Sequence, residues 1–207
     1  MIADYDELKA AVADFLNRDD LTSVVPTFIR LAEARVDRDL RHWRQELFAA
    51  LTLDDQRVAL PFSYLQTISL SLTDAPLGAL EPVSVAQMAR ARGDREDLPG
   101  APTSYAITGG QIELYPTPDK AYGASMLYHS RVPALSASNT SNWLLAESPD
   151  TYLYGALLHS APYIKDDSRV AIWESLYKMG VDSLNRTSED AKYGGTGIRM
   201  KPRRGAP

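Results

Sequence analysis

At both ends of the chain, hydrophobic residues recur every three or four positions, which is the spacing of an amphipathic helix. The first such stripe predicts a helix that begins after Asp4, a residue suited to capping it, and ends near Asn17. The second predicts a helix that carries Pro26 in its first turn, where proline is tolerated. Its apolar face consists of Ile29, Ala32, Val36, Leu40 and Trp43.

The pattern of helices resumes in the C-terminal third. Ser148 followed by Pro149 is typical of a helix start. The segment that follows is apolar on nearly all sides, which predicts burial either within the subunit or between subunits, and Pro162 should kink or end it. A last helix is predicted to begin near Ser168, with an apolar face made of Val170, Trp173, Tyr177, Gly180 and Leu184.

Between about residues 45 and 131 the hydrophobic period shortens to two, the period of a half-buried strand. The runs 49–53 and 57–61 flank a turn and predict a β-hairpin. Gly109-Gly110 joins two alternating runs and predicts a second, tight hairpin, because both central residues need positive φ. Further strands are predicted at 68–73, 76–81 and 122–132, and a short helix at 84–92.

This order of elements predicts an α+β fold, in which N- and C-terminal helices form a helical bundle layer around an inserted antiparallel β module. The expected domains are a discontinuous helical domain of residues 1–44 and 144–190 and a β-rich module with one short helix at 45–143. Residues 191–207, which contain glycine and proline and lack periodicity, are expected to form an extended, flexible tail.

Charge separates the tail from the rest of the chain. Residues 191–207 carry a net charge of +5, whereas residues 1–190 carry −10, giving −5 for the whole chain of 207 residues. The absence of cysteine excludes disulfides, thiolate nucleophiles and cysteine-bound zinc. The lack of cysteine also fits synthesis in a reducing cytoplasm. The N-terminal residues lack the basic start and apolar run of a signal peptide, and no apolar run is long enough to span a membrane.

The sequence contains no recognisable catalytic motif. The histidines His42, His129 and His159 do not lie at metal-ligand spacing, and nucleophile-elbow, phosphate-loop and dinucleotide fingerprints are missing. The paired aspartates, as at 54–55 and 166–167, lie where turns and helix caps belong. We therefore predict no enzyme, no catalytic or metal-binding residues and no cofactor.

Several segments match one known family in order and spacing, and together they cover nearly the whole chain. They are Tyr5–Leu21, Pro26–Arg41, Val58–Pro61, Tyr105–Pro118, Pro133–Ser136 with Asn139–Leu145, and Pro149–Leu158. In combination these segments resemble the head-to-tail adaptor, or connector, proteins of tailed bacteriophages, the group that includes the tail tubular A or gatekeeper proteins of short-tailed phages.

This resemblance implies a homo-dodecameric ring in the neck of the virion, assembled in the host cytoplasm, that joins the portal protein to the tail nozzle and lets DNA pass. It also implies a portal-contacting tail that includes Ile198, Arg199, Met200, Lys201, Arg203 and Arg204. We expect subunit contacts at Phe28, Tyr152, Tyr154, Leu158 and Trp173. A charged loop predicted to contact the nozzle or a tail fibre contains Arg92, Asp94, Arg95 and Asp97.

Other classes of function remain open at this point. A nucleic-acid-binding module would use the basic tail and Trp143, and its DNA affinity would fall steeply with salt. An enzyme would need a pocket with a perturbed titratable cluster, for which the sequence offers no candidate. An assembly chaperone would be missing from the finished particle.

Overall fold

The computed structural model describes residues 2–74, 78–94, 99–164 and 168–194. In chain order its helices and strands are α1 (Tyr5–Leu16), α2 (Val25–Asp39), β1 (Glu46–Leu53), β2 (Arg57–Ala59), β3 (Tyr64–Leu72), β4 (Gly78–Ala79), β5 (Glu81–Pro82), α3 (Val85–Asp94), β6 (Ser104–Thr108), β7 (Gln111–Tyr115), β8 (Tyr122–Ser130), α4 (Trp143–Glu147), α5 (Pro149–Ile164) and α6 (Val170–Tyr193). The predicted α+β class is confirmed.

The chain divides into two units. A helical unit comprises the residues up to Trp43 and those from Val132 onward, and a β unit comprises Arg44–Arg131. The helical unit thus resumes before residue 144, where the sequence placed its return. Val132 and Leu135 explain this difference, because both side chains are buried in the apolar cluster of the helices although their segment has no helical period.

Helix α1 begins and ends where its sequence indicates. The Asp4 carboxylate accepts a hydrogen bond from the Glu7 amide at 2.8 Å, and Asn17 ends the helix in the left-handed region with φ 50°. Helix α2 is shorter than its apolar stripe suggests. It ends at Asp39, and Trp43, which is 43 % exposed, lies in a separate 3-10 turn, so its placement on the apolar face of α2 is wrong.

Within the residues that the structure describes, the β unit contains two four-stranded sheets, with strand orders β1-β8-β3-β4 and β2-β7-β6-β5. The Gly-Gly hairpin is confirmed: β6 pairs antiparallel with β7, and Gly109 and Gly110 have φ of 56° and 77°. The hairpin predicted between residues 49–53 and 57–61 is wrong. Strand β1 pairs along its whole length with β8, and β2 pairs with β7, so the turn at 54–56 carries the chain from one sheet to the other.

Both sheets contribute side chains to one apolar cluster. Leu53, Leu70 and Met126 come from the first sheet, and Ile112 and Leu114 come from the second. Strand β8 lies between two partners and alternates strictly between buried and half-buried residues, as its sequence predicts.

Candidate interaction surfaces

Helix α5 is enclosed by the other helices of its own unit, since it packs against α1, α2, α4 and α6. This enclosure accounts for its all-round apolar pattern within a single copy. The same core contains four of the five residues expected to form subunit contacts, namely Phe28, Tyr152, Leu158 and Trp173. Their burial is therefore explained without a neighbouring copy. The fifth, Tyr154, is half-buried and lines a surface groove.

Polar side chains of α2 form hydrogen bonds with the segment that follows the β unit. Glu33 Oε1 accepts a hydrogen bond from the Leu135 amide at 2.7 Å, and Asp37 Oδ1 accepts one from the Val132 amide at 3.3 Å. Burial raises the pKa of the Glu33 carboxyl. Asn142 Nδ2 donates to Tyr152 Oη at 2.7 Å, and burial raises the pKa of that phenol. These buried and half-buried polar groups have partners within the subunit, so they have a structural explanation.

A groove of about 460 Å³ lies between the first turns of α5 and the middle of α6. Gly180 permits this close approach, because a Cβ there would collide with the Thr151 hydroxyl. Thr151 Oγ1 lies 2.8 Å from Ser148 Oγ, which donates to Asp150 Oδ1 at 2.6 Å. These contacts fix the start of α5 as one wall of the groove.

The α5–α6 groove, as we name it, has a lining that combines apolar, hydroxyl and acidic side chains. Tyr154, Leu176 and Met179 line the groove. Tyr154 and Leu176 are half-buried, and Met179 is 64 % exposed. The acidic residues of the groove lining and of the adjoining surface of α6 are Glu147, Asp150, Asp182 and Asp190. Arg186 is the basic residue that lines this region, so its lining residues carry a net negative charge.

The outer face of α2, defined here by Arg30, Leu31, Ala34 and Arg38, has the opposite character. These four exposed residues are spaced to form one stripe along the helix. Leu31 is 44 % exposed and lies between the two arginines along the stripe. Among the described residues, neither Arg30 nor Arg38 forms a salt bridge. This face is therefore basic with an apolar centre.

The outer edge of β1 forms a third surface, in the β unit. Strand β1 is the terminal strand of its sheet, and within the part of the chain that the structure describes no strand pairs with its second edge. Leu47 is 44 % exposed and Phe48 is 77 % exposed. Phe62, in the loop before β3, is fully exposed. Long apolar edges of this kind are normally blunted by charges, proline or bulges.

The loop expected to contact a nozzle or fibre is partly helical. Helix α3 continues to Asp94, and the half-buried Arg92 points into the β unit rather than into solvent. Its guanidinium pairs with Glu113 at 3.3 Å and donates to the Leu114 carbonyl. Arg92 is therefore an internal anchor of the β unit, and its predicted contact with a nozzle or fibre stays a prediction.

The remaining residues of that loop are less informative. Asp94 is the last residue of α3, whereas Arg95 and Asp97 lie outside the described residues. The predicted portal-contacting residues also lie outside them: Ile198, Arg199, Met200, Lys201, Arg203 and Arg204.

Trp143, the aromatic residue assigned to nucleic acid in the alternative hypothesis, is half-buried. The ring of His42 stacks on it with centroids 5.0 Å apart, so one face of the indole is covered by the subunit itself. Across the described ranges, no group of three or more His, Cys, Asp or Glu side chains is placed to hold a metal ion. Within those same ranges, no helix is long and apolar enough to cross a membrane.

Comparison with known protein families identifies a family that this chain matches. A family model described as SU10 adaptor protein matches residues 3–200, nearly the whole chain. No curated protein matches the sequence.

Proposed function

Because this chain belongs to the SU10 adaptor protein family, a family of phage head-to-tail adaptors, we propose that it forms a ring which joins the portal to the tail nozzle and lets DNA pass. As a member of the family, the chain is a structural adaptor that interacts with other phage head and tail proteins at the neck of the virion. The finer features are our proposal: twelve copies in the ring, assembly in the host cytoplasm, and a structural rather than catalytic role.

The observation that carries this proposal is the extent of the family match, which includes both units of the chain. The surfaces described above support it. An acidic groove, a basic helix face and an open strand edge with an exposed Phe48 ring are features of a protein that is covered by partners in its working state. Subunits of a ring must also present different surfaces to the copies on either side.

The distribution of charge supports the passage of DNA. Residues 1–190 carry a net charge of −10, and a lumen lined by such a surface repels phosphate and does not hold the duplex. The +5 carried by residues 191–207 is suited instead to an acidic surface of the portal. We propose that Ile198–Met200, Lys201, Arg203 and Arg204 make that contact, while a tail fibre or the nozzle is contacted near Asp94, Arg95 and Asp97.

The proposal is tested by mixing the purified chain with the portal of the same phage and imaging the mixture by electron microscopy. We expect rings of this chain seated on one end of the portal. A chain that lacks residues 195–207 should stay folded by circular dichroism and lose portal binding. If the full-length chain neither binds the portal nor forms a ring on it, the proposed function is wrong. If the full-length chain and the truncated chain both dock normally, the proposed role of the tail is wrong and the proposed function stands.

A further inference from the structure

We infer that neighbouring copies in the ring are joined head to tail, with the outer face of α2 of one copy seated in the α5–α6 groove of the next. This inference rests on the proposed ring and names the two surfaces that close it. Both surfaces belong to the helical unit, and they share no residue.

The geometry of a ring requires two such surfaces. A contact between identical patches has two-fold symmetry and stops at a dimer, whereas a contact between two different patches repeats around a closed ring. The edge of β1 illustrates the first case. Antiparallel pairing of β1 with β1 of a second copy would cover the open edge of both copies, so no open edge would be left for a third copy. The helical unit offers the second case, with a ridge on α2 and a groove beside α6.

Charge complementarity identifies a second copy of this chain as the occupant. The groove and the adjoining surface of α6 carry Glu147, Asp150 and Asp182. The outer face of α2 carries Arg30 and Arg38, which have no salt-bridge partner among the described residues. Opposite charges on the two faces of one protein attract neighbouring copies and set their register, and they oppose groove-to-groove contacts by like-charge repulsion.

The apolar residues of the two surfaces also correspond. Leu31 and Ala34 form the apolar part of the α2 stripe, and Leu31 is 44 % exposed in the single copy. Tyr154, Leu176 and Met179 are apolar residues of the groove lining, which also contains acidic and hydroxyl side chains. Specific interfaces combine apolar contacts with polar and charged groups. Burial of Leu31 against Met179 then supplies affinity, and the opposite charges select the α2 face over a second groove as the partner.

The sequence contains no cysteine, which makes an engineered disulfide a clean probe of this contact. Rings of the Leu31→Cys, Met179→Cys double variant should give a ladder of covalent oligomers under mild oxidation. A mixture of the two single variants should give dimers as the main product, and each single variant alone should stay monomeric on a denaturing gel. The matched control is Leu47→Cys with Met179→Cys, because Leu47 is as exposed as Leu31 but lies on β1.

Charge reversal tests the same pairing without a cross-link. We expect loss of rings for Arg30→Glu, Arg38→Glu and, separately, for Glu147→Lys, Asp182→Lys, with both variants folded by circular dichroism. An equal mixture of the two variants should recover rings, because each reversed surface then meets its complement on the other variant. Recovery in the mixture excludes misfolding as the cause of either loss.

The outcomes separate this inference from the proposed function. Suppose that the wild type forms rings with the portal as template. If each charge-reversal variant then forms rings without the other variant, the α2–groove contact is wrong and the ring stands. The same conclusion follows if the equal mixture of the two variants fails to recover rings. If the β1 control cross-links into a ladder and the α2 pair does not, the contact lies on the β unit and the inference is wrong. If the wild type forms no ring under any of these conditions, the proposed function fails and the inference fails with it.

Discussion

The helical unit and the β unit differ in where they place their buried and exposed apolar side chains. In the helical unit one cluster extends through α1, α2, α4, α5 and α6, and the exposed Leu31 lies between two arginines. In the β unit a smaller cluster lies between two sheets, and Leu47 and Phe48 are exposed on an open strand edge. Charged neighbours make an exposed apolar residue selective for one partner, whereas an open edge accepts any extended strand unless assembly covers it.

The largest effect is expected from the core of the helical unit. Leu157 on α5 is fully buried, so Leu157→Ala should lower the free energy of unfolding by about 2 to 5 kcal/mol, through lost transfer energy and the cavity left behind. The measurement is urea unfolding followed by circular dichroism. Leu31→Ala is the matched control, and as a surface change it should stay within about 0.5 kcal/mol of the wild type. Equal losses for the two variants would contradict the assignment of α5 to the core.

The second effect concerns the β unit, where a polar anchor supplements the smaller cluster. Arg92→Met removes the partner of Glu113, which is itself buried, and should cost about 3 kcal/mol in the free energy of unfolding. Arg90→Met on the exposed side of the same helix is the control and should have little effect. A neutral Arg92→Met variant would mean that α3 is held by Met88 and its apolar neighbours without the ion pair.

A smaller effect is expected at the tight turn between β6 and β7. Gly109 has φ of 56°, a conformation that costs an L-residue about 1 to 2 kcal/mol. Gly109→Ala should therefore lower the melting temperature by a few degrees. The control is Gly78→Ala, because Gly78 has open space around its Cα and no positive φ. A larger loss at Gly78 than at Gly109 would contradict the hairpin geometry.

The smallest effect is a pH dependence in the helical unit. Burial, with Arg35 and Arg38 nearby, lowers the pKa of the His159 imidazole in the folded chain. The unfolded chain therefore binds the proton more readily, so stability is complete above the unfolded pKa of about 6.5 and falls as the pH drops through the lower folded pKa. His159→Gln should flatten this part of the stability profile, measured by urea unfolding between pH 4 and 8. An unchanged slope in the variant would assign the effect to other groups.

The sequence predicts elements well where a segment buries one face against its own unit. The stripe from Leu8 to Leu16 predicts α1 and its cap, and the alternation along residues 122–130 predicts β8, because burial imposes the period directly. The partner of a strand cannot be predicted in the same way. The alternation at 49–53 predicts a strand but carries no information on whether its neighbour is β2 or β8, so the expected hairpin was wrong.

The surfaces were harder to predict than the elements. Tyr152 and Leu158 have the composition of an interface and also that of a core, and only the packing of α5 among its neighbours distinguishes the two. Arg92 lies in a charged run, yet its side chain turns inward to Glu113, a contact between residues distant in sequence. The α2 stripe of Arg30, Leu31 and Arg38 has a readable signal, namely an apolar residue flanked by arginines on the face opposite the core.

The most direct test is a reconstruction of the neck of purified virions by cryo-electron microscopy. We expect density for this chain as a closed ring between portal and tail, with α2 of each copy against α6 of the next and DNA on the ring axis. A neck that lacks this polypeptide, or that contains it as isolated copies without contacts between them, would contradict its role as the ring-forming adaptor.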